Sequence, residues 1–365
     1  MAKGGIRRAF LGGNTEKGFY SYYNYILHKE EAIKTFIIKG GPGTGKSTLM
    51  KKIGEVLNEK GYNVEYMHCS SDPNSIDGIV IPEIKVALLD GTAPHIVEPT
   101  YPGAVDEIID LGRFWNTDKI ETHKKEIINK SKEKSRLFAM AYRYLKAAGA
   151  IHDNICDLVS MSVNVKKLNA IAKEMTDEIF TQQEKSFEEG RERKLFASAI
   201  TPEGLVNYIN TLLSKGKVYG LLSEIGSGSE YILSKIKHVA IEKGVNIECF
   251  YCGLKPEKIE HLLIPEKKIF FTTINKYHNS DIKTDRLIDL NELRNSKIYE
   301  KNKEDIKYNT SLFEELLNKA VNTIKKAKAV HSALEDYYSP SMDFDKLKAY
   351  RDALFYRIIK YTENR

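Results

Sequence analysis

Short apolar runs and long mixed stretches alternate along this chain, and the alternation occurs twice. The first pass opens on an apolar segment near residues 7–11, followed by Thr35-Phe-Ile-Ile-Lys39, whose length suits a short buried strand. A glycine-rich stretch comes next, and then a helical pattern with Leu49, Ile53, Val56 and Leu57 on one face. Val64–Cys69 and Lys85–Asp90 read as further strands, and a short segment near Ile108–Leu111 precedes a charged helical stretch of about 118–186. The second pass repeats the plan near 194–199, then through Ile247–Cys252, Lys268–Thr273 and Leu287–Leu290 to a helical stretch of about 297–365. Helices are also expected over 16–28 and 202–214. Turn signals at Val163-Asn164 and Tyr338-Ser-Pro-Ser341 divide each long stretch into an antiparallel helical hairpin.

The two passes are copies. Setting Gly43 against Gly226 and running to His95 against His278 gives 18 identities in 53 positions without a gap. Glu59-Lys60-Gly61 faces Glu242-Lys243-Gly244, and Cys69 faces Cys252. With small shifts the match extends upstream, Phe10 and Tyr22 facing Phe196 and Tyr208. Downstream, His152 faces His331 and Lys167-Leu168 faces Lys346-Leu347. An ordered match over nearly the whole chain is the signature of a duplication. The expected boundary is the polar run Phe187-Glu-Glu-Gly-Arg-Glu-Arg-Lys194, giving units of 1–188 and 189–365.

Residues 40–48, Gly-Gly-Pro-Gly-Thr-Gly-Lys-Ser-Thr, meet the phosphate-binding pattern G-x-x-x-x-G-K-[ST] between a strand and a helix. Glycines let backbone N–H groups curl around phosphate oxygens, and the helix N-terminus adds partial positive charge. Gly40, Gly41, Pro42, Gly43, Thr44, Gly45 and Thr48 would form the cradle, Lys46 would reach the β- and γ-phosphates, and Ser47 would ligate Mg²⁺. Val86-Ala-Leu-Leu-Asp90 fits a strand ending in the acid that holds the same metal. The fold class implied is α/β, two tandem P-loop NTPase-like parallel-sheet domains, each with a helical hairpin appended.

The second copy has lost this chemistry. Lys46 becomes Ser229, Ser47 becomes Glu230, Thr48 becomes Tyr231, Gly41 becomes Glu224 and Asp90 becomes Thr273. Gly43 and Gly45 persist as Gly226 and Gly228, so the loop shape is expected to survive while two added glutamates repel a triphosphate. Asp72 faces Lys255 and so was lost with the lysine, which marks it as a candidate base against the alternative of a turn-forming aspartate. His95 and Glu98, in the Gly- and Pro-rich loop after Asp90, are candidates to orient water or an acceptor hydroxyl, although retention of His278 opposite His95 favours a structural role for His95. His152 and His331 read as core or interface histidines, and Arg113 as an exposed arginine. Cys249-Phe-Tyr-Cys252 lies in an apolar strand pattern that sends its two thiols to opposite faces, so buried cysteines are expected there.

Composition adds little. Net charge is +6 with acids and bases interleaved, which does not indicate nucleic acid. The N-terminus has no apolar leader, and no apolar span reaches membrane length, so a cytoplasmic protein is expected.

The string at 40–48 resembles P-loop NTPases of the RecA/AAA-like division and, less closely, small kinases. Gly12-Gly-Asn-Thr15 with Gly18-Phe19, the loop, Asp90-Gly-Thr-Ala-Pro-His95 and Asp110-Leu-Gly-Arg-Phe-Trp115 resemble, over nearly the entire chain, a bacterial family of tandem P-loop ATPases. In that family both halves can carry recognisable loops, and this sequence departs by degrading its second. The resemblance implies ATP binding and nothing finer. The expected function is a Mg²⁺-dependent ATPase with Lys46, Asp90, Asp72 and His95 at its centre, one nucleotide site per chain, and a second half that completes an intramolecular pseudo-dimer and serves a second ligand or protein partner. A small-molecule or nucleotide kinase, and a nucleotide sensor with little turnover, are the alternatives.

Overall fold

The computed structural model describes residues 2–183, 186–213, 216–278 and 281–363. In the first half, β1 (Ile6–Phe10), β2 (Gly12–Thr15), β3 (Gly18–Ser21) and β4 (Lys34–Lys39) lead to α1 (Lys46–Glu59). Then come β5 (Val64–His68), β6 (Ile76–Ile81), β7 (Val86–Asp90), β8 (Asp106–Asp110), α2 (Thr117–Glu121), α3 (Lys124–Ser160) and α4 (Val165–Phe180). The second half runs β9 (Glu192–Phe196), β10 (Ser198–Thr201), β11 (Gly204–Asn207), α5 (Ile209–Leu212), β12 (Lys217–Leu222) and α6 (Ser229–Glu242). It ends with β13 (Ile247–Tyr251), β14 (Ile259–Ile264), β15 (Ile269–Ile274), β16 (Arg286–Asp289), α7 (Ser296–Tyr338) and α8 (Phe344–Glu363).

Twelve strands form one α/β sheet in the order β16-β12-β15-β14-β13-β9-β1-β5-β6-β7-β4-β8. Read outward from its centre, each half has the same order, β1-β5-β6-β7-β4-β8 and β9-β13-β14-β15-β12-β16. Five strands of each half run the same way, while β6 and β14 are reversed, so the expected all-parallel sheet is a mostly parallel one. The sequence reading missed these two strands because Asp77-Gly78 and Glu260-His261 interrupt their apolar pattern. The helices expected over 16–28 and 202–214 are also absent. β2–β3 and β10–β11 are hairpins instead, each turning at a glycine in the left-handed region, Gly18 (φ 92°) and Gly204 (φ 100°). Among the described residues, a 3₁₀ turn at Tyr23–Tyr25 and the four residues of α5 are the only helical remnants there.

The halves meet at β1 and β9, which pair antiparallel at Phe10 and Phe196. Flanking that seam, Arg7 and Arg193 each bond both Glu65 and Glu248, an ion quartet from four central strands with the two carboxylates buried.

Both long stretches form two helices with the break where expected, but the two arms of each pack on other elements and not on one another, so the expected antiparallel hairpins do not form; α4 and α7 each begin at an asparagine cap. Asn164 accepts from Lys167 N, and Asn295 accepts from Lys297 N and Ile298 N. The two long helices α3 and α7 pack along one another through Leu145, Ala148 and Ile155 against Phe313, Ala320 and Ile324. The second arms then cross over. α4 buries Leu168, Ala172 and Met175 against Ile232, Leu233 and Ile236 of α6 in the other half, and α8 buries Leu347, Leu354 and Ile358 against Leu49, Ile53 and Leu57 of α1. The second arm of each stretch therefore follows one sheet half in sequence but covers the opposite half in space.

Candidate functional site

β4 and β7 are adjacent and parallel, with Ile38 opposite Asp90, so loop 40–48 and Asp90 leave the sheet at the same carboxyl edge. The loop turns at Gly43 (φ 65°) and Gly45 (φ 88°), and Gly45 is the N-cap of α1, whose first residue is Lys46. The Lys46 ammonium donates to Gly40 O (2.9 Å) and Gly41 O (2.8 Å) and stands 3.6 Å from Asp90 Oδ2. Ser47 Oγ accepts from Ile76 N at 3.0 Å, and Asp90 Oδ1 accepts from Thr92 N at 2.8 Å. Thr44 Oγ1 closes the loop on Gly41 O (2.8 Å), while Pro42 is half-buried and Thr48 exposed on the first turn of α1. The structure thus brings Lys46, Ser47, Asp90 and the glycines together as the sequence predicts.

The end of α7, from the second half, sits on this loop. Ser339 Oγ donates to Gly43 O at 3.0 Å. A Cβ on Gly41 would lie 2.8 Å from the Tyr338 ring, and one on Gly43 would lie 2.3 Å from Ser339 Oγ and 3.0 Å from Glu335 Cβ. These glycines are needed for close approach as well as for their dihedrals.

Two basic groups of the long helices meet one turn before Glu335. Lys134 of α3 lies 3.4 Å (Nζ) from His331 Nδ1 of α7, and among the described residues no carboxylate pairs with it. Burial, and then the Lys46 charge, lower the Lys134 pKa. Burial, then Lys134 and Lys46, push His331 down to about 4, so it is a neutral imidazole at pH 7. Sequence alone marks His331 as a core or interface residue and does not mark Lys134. Its signal was present in the duplication, where Lys134 faces Phe313, an exchange of the same kind as Lys46 for Ser229.

Asp72 is tied down. It pairs with Lys328 of α7 at 2.7 Å and accepts from Ser75 Oγ (3.0 Å). Burial acts to raise its pKa, but Lys328 and Ser75 outweigh that and hold it below the ordinary carboxylate range. Glu98 is an exposed partner of Lys39 at 2.9 Å, and Arg113 is exposed. His95 is buried, its Nδ1 2.6 Å from the Tyr23 hydroxyl and its Nε2 3.7 Å from Asp77, which also accepts from Tyr23 (2.9 Å). Cys69 completes a close group with Asp77 and His95. Burial, with help from the Asp90 charge, raises Asp77 despite His95.

The second loop keeps the backbone and not the chemistry. Gly226 (φ 83°) and Gly228 (φ 104°) repeat the first loop's turn, and Gly228 caps α6. Arg294 lies against it, 2.9 Å from Glu224 and 2.6 Å from Ser227 Oγ. Glu230, where Ser47 stands in the first loop, has its pKa raised by burial. Beside this loop is a cavity of about 440 Å³, bounded by the turn of α3 at Cys156 and Ser160 and by Lys258, Glu260, Thr273 and His278. Cys249 and Cys252 are free thiols, as are Cys69 and Cys156. Burial raises the pKa of both Cys249 and Cys252 well above the ordinary thiol value.

Comparison of the chain with family models, with curated proteins and with solved structures finds no match. No helix among the described residues is long and apolar enough to cross a membrane.

Proposed function

We propose that the chain is a tandem pair of P-loop domains of which the first binds Mg²⁺ and ATP and hydrolyses it, while the second receives the consequence through the exchanged helices. The observation that carries this reading is the meeting of Lys46 and Asp90, 3.6 Å apart, on one glycine loop at the carboxyl edge of parallel strands, with Lys134, which pairs with no carboxylate among the described residues, on the long helix beside His331. A cation that burial disfavours and no carboxylate compensates is most simply understood as the counterpart of an anionic ligand. The loop's N–H groups and the α1 N-terminus favour phosphate at the same point.

The hydroxyl of Ser47 and the carboxylate of Asp90 are hard oxygen donors that fit Mg²⁺, whose charge would neutralise the β- and γ-oxygens when bound. Lys46, released from the loop carbonyls, would follow the γ-phosphate. Asp72, held ionised by Lys328, suits positioning better than proton abstraction. Glu335, on the cap beside Gly43, has its pKa raised by burial and then by Asp72, and is the carboxylate best placed to take a proton from water. Because Tyr338 and Ser339 touch the loop itself, occupancy of the loop and the position of the second half's long helix are coupled.

The test is a titration of wild type and Lys46→Ala with ATP in Mg²⁺, followed by phosphate release. Wild type should bind one ATP per chain, and the variant should lose about 10²–10³-fold in hydrolysis, the scale for removing one oxyanion-stabilising donor. Undiminished binding of one ATP by Lys46→Ala would place the nucleotide elsewhere and end this reading.

A further inference from the structure

We propose that the second half holds a transition-metal ion, Zn²⁺ by its donor set, on Glu260, His261 and His278 beside the 440 Å³ cavity. One ligand atom from each lies within 4.8 Å of the others, and His278 Nε2 is 3.2 Å from Glu260 Oε1. Tetrahedral zinc with bonds of about 2.0–2.1 Å separates its ligand atoms by roughly 3.4 Å, so a small contraction completes the set.

A β-bulge makes the arrangement possible. His261 pairs with Phe250 and Ile259 pairs with Tyr251, leaving Glu260 as the extra residue. In a regular strand Glu260 and His261 would face opposite sides of the sheet, and the bulge re-aims them to one point. Each of the three residues keeps one buried polar atom with no hydrogen-bond partner, Glu260 Oε2, His261 Nε2 and His278 Nδ1, while the other Glu260 oxygen faces His278 Nε2; His261 is 0% and His278 6% exposed. His261 Nδ1 is 2.8 Å from Thr272 Oγ1, which orients the ring and leaves Nε2 for the metal.

The first half supplies the contrast. Asp77 is the bulge residue there, between Met67–Gly78 and His68–Ile76, and Cys69 and His95 stand where Cys252 and His278 do. In that cluster the Tyr23 hydroxyl serves both Asp77 and His95, so its hydrogen bonds close internally. Ile209 occupies the position of Tyr23 in the second half, and His261 that of Gly78. One copy therefore lost the hydroxyl that satisfied the cluster and gained an imidazole within it. Two imidazoles and a carboxylate are a three-ligand set that keeps one position open, and the cavity, lined by Glu260 and His278, gives that position to water or a small anionic or thiol ligand. The inference is independent of nucleotide binding by the first half.

Metal-stripped full-length protein titrated with Co²⁺ should show one equivalent of visible d–d absorption, displaced by one equivalent of Zn²⁺. His261→Gly, which installs the first half's residue, should weaken binding at least 10-fold, as should His278→Gln, whereas Cys69→Ser should leave the spectrum unchanged. A wild-type chain with no cobalt spectrum and no retained zinc would overturn the proposal, whatever the variants do. So would a folded His261→Gly that keeps the full spectrum, or a Cys69→Ser that loses it.

Discussion

The loops at 40–48 and 223–231 have nearly one backbone and two chemistries. Both turn at glycines with φ between 65° and 104° and both open a helix at the end of a strand, yet one carries Lys46 and Ser47 and the other Ser229 and Glu230. The turn is therefore held by its glycines and by the strand and helix on either side, and needs neither lysine nor ligand. Persistence of the shape says nothing about function, and the side chains around it decide. Around the first loop stand Lys46, Lys134 and a neutral His331. Around the second, Arg294 is consumed by Glu224, and Phe313 and His152 stand where Lys134 and His331 do. Each loop is covered by the end of the other half's long helix, Glu335 and Ser339 over the first and Cys156 and Val159 over the second.

The largest effect expected from perturbing this comparison lies where the halves are alike. The quartet of Arg7, Arg193, Glu65 and Glu248 is symmetric and joins the two sheets. Arg193→Met would leave Glu65 and Glu248 short of a partner and should cost about 3 kcal/mol or more in unfolding free energy, measured by urea denaturation. A loss below about 1 kcal/mol would mean the seam is held by Phe10 and Phe196 alone. The same quartet sets a pH dependence. Burial disfavours the Glu248 charge, but Arg7 and Arg193 outweigh it and bring its pKa to about 2. A depressed carboxylate stabilises fully above its unfolded value of about 4.3, and that contribution is lost as pH falls toward 2. The melting temperature of wild type should fall over that window, and that of Arg193→Met should fall less.

Much of this fold was legible because the chain contains its own comparison. The duplication gave the equivalent strands, the P-loop helix gave its hydrophobic face, and the breaks in the two long helical stretches were marked by Val163-Asn164 and Ser339-Pro340. The errors have local causes. Gly18 and Gly204 turn hairpins that periodicity alone reads as helices, and the acids Asp77 and Glu260, at bulge positions, interrupt the apolar patterns of β6 and β14. Lys46, Ser47 and Asp90 were legible because their pattern is short-range. The crossing of the helices was not, since nothing local distinguishes a helix that packs on its own sheet half from one that reaches the other. For that reason Lys134, His331 and Glu335 joined the first site only in three dimensions.

Lys134 tests how far the first loop's character depends on the exchanged helices. Lys134→Phe copies the residue of the second half, which Phe313 shows to be compatible with a long helix at that position. One ammonium near a triphosphate is worth about 1–2 kcal/mol at an effective dielectric of about 20. ATP binding should weaken about 10-fold while ADP, lacking the γ-phosphate, changes less than threefold, as read by calorimetry. Equal loss for both would place Lys134 at the inner phosphates, and no loss for either would remove it from the site.

The smallest effect expected is at Asp72, where the second half has Lys255. The two positions carry opposite charges, yet each is paired, Asp72 with Lys328 at 2.7 Å and Lys255 with Asp153 (2.6 Å) and Glu16 (2.9 Å). Both halves thus keep an ion pair between a sheet loop and a long helix and differ only in which element carries the cation. Loss of the aspartate alongside Lys46 therefore follows from a charge exchange across one contact, and does not require a catalytic acid. Asp72→Asn keeps the turn through Ser75 and weakens only the ion pair. Since partly exposed pairs contribute about 0–1 kcal/mol, hydrolysis should stay within about threefold of wild type. A general base would instead show a loss of about 10²–10⁴-fold together with a displaced acid limb of the pH–rate profile. That outcome would return Asp72 to the chemistry and move Glu335 out of it.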